Sequence, residues 1–163
     1  MKRLFYGYWI VAASFIIQLM YLGCVYSFGV LFSIYETQFG WSRAVISGAA
    51  SLFFLMMGAF GILMGAASDK YNPRVVLTIC VILFSIGFIL LSRISEPWEL
   101  YLFYGVLGGI GVAAHEVVTL STIARWFKKN LGLMSGIVKA GSGIGQASIP
   151  LIAAIMITQI GWR

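Results

Sequence analysis

"GAASDKYNPR", Gly65 to Arg74, is a short polar break between two apolar runs, Ala44–Ala67 before it and Val75–Leu91 after it. Reading it as the link between two membrane-crossing helices fixes the rest of the chain. A helix needs about 20 apolar residues to cross a hydrocarbon core of about 30 Å. Outward from this break, three more such runs follow: Tyr8–Tyr35, Trp98–Ile123 and Leu131–Ile160. The other breaks are equally short and polar, "ETQFGWSR", "SRISEP" and "ARWFKKN". No strand-like alternation occurs, so a β-barrel is excluded.

Composition supports the same class. The 163 residues are 61% hydrophobic and 10% charged, too few polar groups to cover a water-facing surface. The expected fold is therefore all-α and integral to a membrane, one unit over residues 1–163 with five transmembrane helices at about 8–35, 44–67, 75–91, 98–123 and 131–160. Lys2 and Arg3 ahead of an apolar run imitate a signal peptide, and "YLGC" approaches a lipoprotein box. The run continues to Tyr35, far beyond a signal-peptide core, so an uncleaved first span is expected.

Charge position says more than the net +6. With the N-terminus inside, that side holds Lys2, Arg3, Lys70, Arg74, Arg125, Lys128 and Lys129, and the other side only Arg43, Arg93 and Arg163. This asymmetry predicts a cytoplasmic N-terminus in a multi-pass protein of the plasma (inner) membrane. Trp9, Trp41, Trp98, Trp126 and Trp162 fall near span ends, as interfacial aromatics do. The partner implied is the lipid bilayer, not nucleic acid. Cys24 and Cys80 lie inside apolar runs and there is one histidine, so neither a disulfide nor a metal site is expected, and no cofactor.

The break Gly65–Arg74 resembles the loop signature of the major facilitator superfamily between the second and third spans. Gly65, Asp69, Lys70 and Arg74 match; Asn72 replaces a glycine, and Val75 the last basic residue. Asn tolerates a left-handed turn, so Asn72 is a mild departure. "FGWSRA" (Phe39–Ala44) and "ARWFKKNLGLMSGIVKAGSGIG" (Ala124–Gly145) resemble the monocarboxylate and oxalate/formate porter branch. The resemblance implies twelve helices in two halves, alternating access, and a cytoplasmic gate at Gly65, Asp69, Lys70 and Arg74. It makes this chain the first five helices, lacking the sixth and the second half. Gln146 stands where the family's antiporter pattern has proline, with Pro150 following late, so antiport is not supported. Gly105 occupies the place of an arginine found in the fourth span of many proton-coupled relatives, so proton coupling must use another residue.

Within the spans, "GVAAHEVVTL" (Gly111–Leu120) carries His115 beside Glu116. Glu116 precedes Arg125 by nine residues and Lys139 follows Lys129 by ten, about 13 and 15 Å along antiparallel helices. An acid and a base thus reach similar depth, where an isolated charge costs roughly 2.5–3.5 kcal/mol or more. Ser135, Lys139, Ser142 and Gln146 form one polar stripe; Gly111, His115, Thr119 and Thr122 a second; Ser14, Gln18 and Tyr21 a third. Together they are expected to line one aqueous cavity. Two readings stay open: a structural ion pair, or a site in which Lys139 attracts an anion while Glu116 and His115 exchange a proton, with Gln18, Tyr21 and Gln146 around it. Glycines in the second, fourth and fifth spans are expected to let helices approach closely.

No hydrolytic or redox constellation is present, so an enzyme is not expected. The expected function is secondary transport of small organic anions of the monocarboxylate kind, coupled to protons, by an N-terminal portion that needs a C-terminal half or a second chain. The alternative is a non-transporting truncated membrane protein or assembly partner.

Overall fold

The computed structural model describes residues 6–161, so Lys2, Arg3, Trp162 and Arg163, invoked above for orientation and the interface, lie outside the described residues. Five helices are long and apolar enough to cross a membrane: α1 (Tyr6–Phe39), α2 (Arg43–Lys70), α3 (Pro73–Leu91), α4 (Pro97–Trp126) and α5 (Leu131–Ile160). No strand occurs among the described residues.

The breaks are made by local chemistry. Gly40, at φ 66°, ends α1 in the left-handed region open to glycine. The Ser42 hydroxyl caps α2 by accepting from the Val45 amide. Before α4, the Glu99 carboxylate accepts from the Ser95 and Glu96 amides at 2.6 and 3.0 Å, and Pro97 opens the helix where no amide is needed. Asn72 corrects an expectation. Its φ is −68°, not left-handed, and its side chain accepts from the Arg74 amide at 3.0 Å as the N-cap of α3. Asparagine serves there as a cap, a role a glycine side chain cannot fill. The left-handed asparagine is Asn130, at φ 65°, just ahead of α5.

Packing centres on α4. Its most apolar stretch is 56% buried, against 33% or less in the other four helices. It lies between α2 and α3 and also touches α1 and α5, while α5 packs along α1. Glycines set these contacts because hydrophobicity cannot drive helices together in lipid. A Cβ on Gly141 would meet the Phe15 carbonyl oxygen at 2.5 Å, and one on Gly145 would collide with the Leu19 backbone, which fixes the α1–α5 crossing. A Cβ on Gly109 would meet the Phe53 carbonyl at 2.6 Å, and one on Gly111 the Phe84 amide at 2.5 Å. Gly58, Gly132, Gly136 and Gly143 face open space instead, so for them close packing within this chain is not the explanation.

α4 is not the regular helix its composition suggests. Tyr101–Gly108 is π-helical, and a second irregularity falls at Ala113, whose amide bonds back to the Ile110 carbonyl. The π segment carries Tyr104 into an aromatic stack, 3.8 Å from Phe28 and 4.6 Å from Phe53 between ring centroids. Such pairs contribute about 0.5–1.5 kcal/mol each beyond burial.

Candidate functional site

His115 and Glu116 are neighbours on α4, so their side chains leave the helix about 100° apart. Glu116 reaches outward, where the Lys139 ammonium on α5 donates to its Oε1. The acid and base placed at equal depth by counting are thus joined. Both side chains remain close to half-exposed. Glu116 also walls a cleft of about 430 Å³ with His115, Ala113 and three α2 glycines, Gly58, Gly61 and Gly65. A Cβ on Gly65 would approach a Val117 methyl group to 3.1 Å, so the bare α2 face leaves room for that side chain on α4.

His115 points inward and is buried. The irregularity at Ala113 leaves the Val112 carbonyl within 2.6 Å of Nδ1, and a carbonyl only accepts, so Nδ1 carries the proton. The ring lies 5.6 Å from that of Tyr21, which packs on Phe84 at 4.7 Å.

Gln18 is fully buried at the meeting of α1, α4 and α5. Its Nε2 donates to Thr119 Oγ1 at 3.1 Å, and its Oε1 accepts from Ser142 at 2.9 Å. Thr119 in turn donates to the His115 carbonyl. Both ends of the amide are satisfied, the condition under which a buried polar group fixes packing rather than weakening it. Gln146, half-buried on α5, is not brought into this network.

The three polar stripes therefore do not line one cavity. Ser14, Thr119 and Thr122 face a cleft of about 450 Å³ between α1, α3 and α4, with Arg74, Arg125 and Trp126 at its mouth. His115 and Glu116 face the cleft toward α2, and Gln18 and Ser142 are consumed in helix contacts. Polar periodicity marks a face, but the neighbour that the face meets differs along its length.

Of the residues matched to the loop signature, Asp69, Lys70 and Arg74 gather at the end of the body that also carries Tyr6 and Trp126. Asp69 accepts from Arg125 at 2.7 Å, Arg74 donates to the Tyr6 hydroxyl at 2.9 Å, and Lys70 lies over the Tyr71 ring. Arg125 counts in the sequence only toward orientation, and Tyr6 carries no signal there as a site residue. The signal for Arg125 was its place in "ARWFKKN", a break on the same side as Asp69. Among the described residues no group of His, Cys, Asp and Glu is placed to hold a metal ion.

Comparison with known proteins bears on this arrangement. The chain is 29% identical over 155 residues to MFS-type transporter 1 of Ophiocordyceps sp., covering 94% of this chain and 34% of that protein. It is 30% identical over 159 residues to monocarboxylate transporter 13 of Rattus norvegicus, covering 97% and 37%. With riboflavin transporter RibJ of Trypanosoma brucei brucei it shares 29% identity over 161 residues, covering 96% and 29%. The chain thus spans about a third of the length of each of these three relatives. The family model described as Major Facilitator Superfamily matches residues 14–163. Five apolar helices, no strand among the described residues, and a family match over nearly the whole chain place this protein in the Major Facilitator Superfamily, as an integral, multi-pass membrane protein.

Proposed function

We propose that the chain forms the anion- and proton-handling part of a secondary carrier for small organic anions of the monocarboxylate kind. The observation that carries this is the Lys139–Glu116 pair, set on consecutive antiparallel helices and left half-exposed beside an open cleft. Ionisable groups within spans face water or protein rather than lipid, and they mark substrate and ion paths. Protonation of Glu116 cancels its charge and frees the Lys139 ammonium for a carboxylate. Loss of that proton re-forms the pair and displaces the anion. One carboxylate replaces another, so the ammonium is never left without a counter-charge. The relative named as a monocarboxylate transporter, 30% identical, supports the same substrate class.

Alternating access works around a site between two repeats. The open small-residue faces at Gly58 on α2 and Gly132, Gly136 and Gly143 on α5 flank the pair and suit apposed helices from a C-terminal half or a second chain. Asp69, Lys70 and Arg74 then act at the cytoplasmic end as a gate whose closed form includes Arg125 and Tyr6. The orientation goes with this: N-terminus and basic loops in the cytoplasm, the protein in the plasma membrane.

Saturation-transfer NMR detects weak binding and tests the site directly. Lactate and pyruvate presented to the purified chain in nanodiscs should receive saturation that grows as pH falls. Lys139→Ala should abolish it, and Glu116→Gln should make it strong and independent of pH. Saturation unchanged in Lys139→Ala would remove the proposed anion site.

A further inference from the structure

Two buried polar atoms between α1 and α4 have no hydrogen-bond partner within the protein: Tyr21 Oη and His115 Nε2. Tyr21 is 5% exposed and His115 4%, and their rings are adjacent at 5.6 Å. A buried polar group left unpaired costs about 1–3 kcal/mol, so two on neighbouring rings need a physical account. Other polar groups nearby do have partners: the His115 Nδ1 proton goes to Val112, and Gln18, three residues before Tyr21, is satisfied by Thr119 and Ser142.

Donor and acceptor bookkeeping defines what can sit between them. With Nδ1 protonated, neutral imidazole offers Nε2 only as an acceptor, while the Tyr21 hydroxyl both donates and accepts. A bridging group must donate to Nε2 and also accept from, or donate to, Oη. A carboxylate has no proton to give Nε2, so the anion of the proposed transport site does not fit here. An ammonium could donate to both atoms, but it would bring an uncompensated charge into a buried site. A neutral hydroxyl-type oxygen donates to Nε2 and pairs with Oη without one. Phe84 packs against Tyr21 from α3. The smallest such molecule is water, which binds in buried sites where it finds two to four polar partners.

We propose that Tyr21 and His115 together bind one buried water molecule, bridging Tyr21 Oη to His115 Nε2 and tying α1 to α4. The proposal stands apart from the transport reading, because it needs neither the ion pair nor a substrate. His115 also borders the cleft that Glu116 lines.

The chain has a single histidine, so ¹⁵N-histidine labelling gives one pair of ring signals. In the purified chain in nanodiscs, Nδ1 should carry the proton, and Nε2 should show the upfield displacement of a hydrogen-bonded acceptor together with exchange to water. Tyr21→Phe keeps the ring against Phe84 and His115 and removes only the hydroxyl. It should move the Nε2 signal and lower Tm by about 2–4 °C, the shift expected for one lost hydrogen bond in a chain of this size. A dry site behaves in the opposite way: Nε2 stays at the unbonded position in both proteins, and Tm holds or rises when the unsatisfied hydroxyl is removed. That result overturns the proposal. So does a change in only one of the two readouts, because a bridging water couples them.

Discussion

Removing either partner of the Lys139–Glu116 pair is the perturbation on which most depends. Two unit charges 4 Å apart at an effective dielectric near 20 attract by about 4 kcal/mol before desolvation is counted. The Glu116 and Lys139 side chains are 47% and 45% exposed, and this exposure sets how much of that attraction survives. Fully exposed pairs retain about 0.2–1 kcal/mol, whereas breaking a buried pair costs about 3–5 kcal/mol because a charge is stranded. Half-exposure places Glu116→Gln and Lys139→Ala each at about 1–3 kcal/mol, the cost of leaving the other charge alone. The double variant strands nothing, so its loss should fall short of the sum by about 1–2 kcal/mol. Thermal unfolding of the four proteins in nanodiscs reads this as Tm shifts, with each kcal/mol worth about 2–4 °C at this length. Anion binding measured on the same samples separates stability from function: the double should lose less Tm than the two singles summed, yet bind no lactate. Additive Tm losses would show that the two charges do not stabilise each other and refute the reasoning. Lactate binding regained in the double would leave the pair a purely structural device.

Two further outcomes follow from the fold. With Cys24 and Cys80 replaced by alanine, single cysteines at Gln38 and Ser95 should react with an impermeant reagent outside intact cells, and those at Asn72 and Asn130 should not; labelling at Asn72 or Asn130 would invert the orientation. Gly145→Ala should lower Tm, because its methyl group meets the Leu19 backbone, which cannot move aside, while Gly143→Ala, facing open space on the same helix, should leave Tm unchanged or raise it. Equal effects at the two positions would show that the α1–α5 crossing is not set by Gly145.

Much of this protein is written in local order along the chain. Apolar run length gives the five spans, because crossing a membrane is a one-dimensional requirement on length and polarity. Ser42, Pro73 and Pro97 mark helix starts by chemistry that acts within a turn. Even the Glu116–Lys139 contact is reachable by counting, since rise per residue converts sequence distance into depth on antiparallel helices. Depth is not direction, however. Which way each helix is turned about its axis depends on where glycines let backbones touch, as at Gly111 against Phe84 and Gly141 against Phe15. That rotation splits the polar stripes into two clefts and a buried junction at Gln18. The π segment at Tyr101–Gly108 and the break at Ala113 change the register of α4, turning His115 inward onto Val112 while Glu116 meets Lys139. A period-3.6 reading assumes an unbroken helix and cannot anticipate either shift. Tertiary structure also chose Arg125 as the partner of Asp69, because that depends on which helix ends meet at one end of the body.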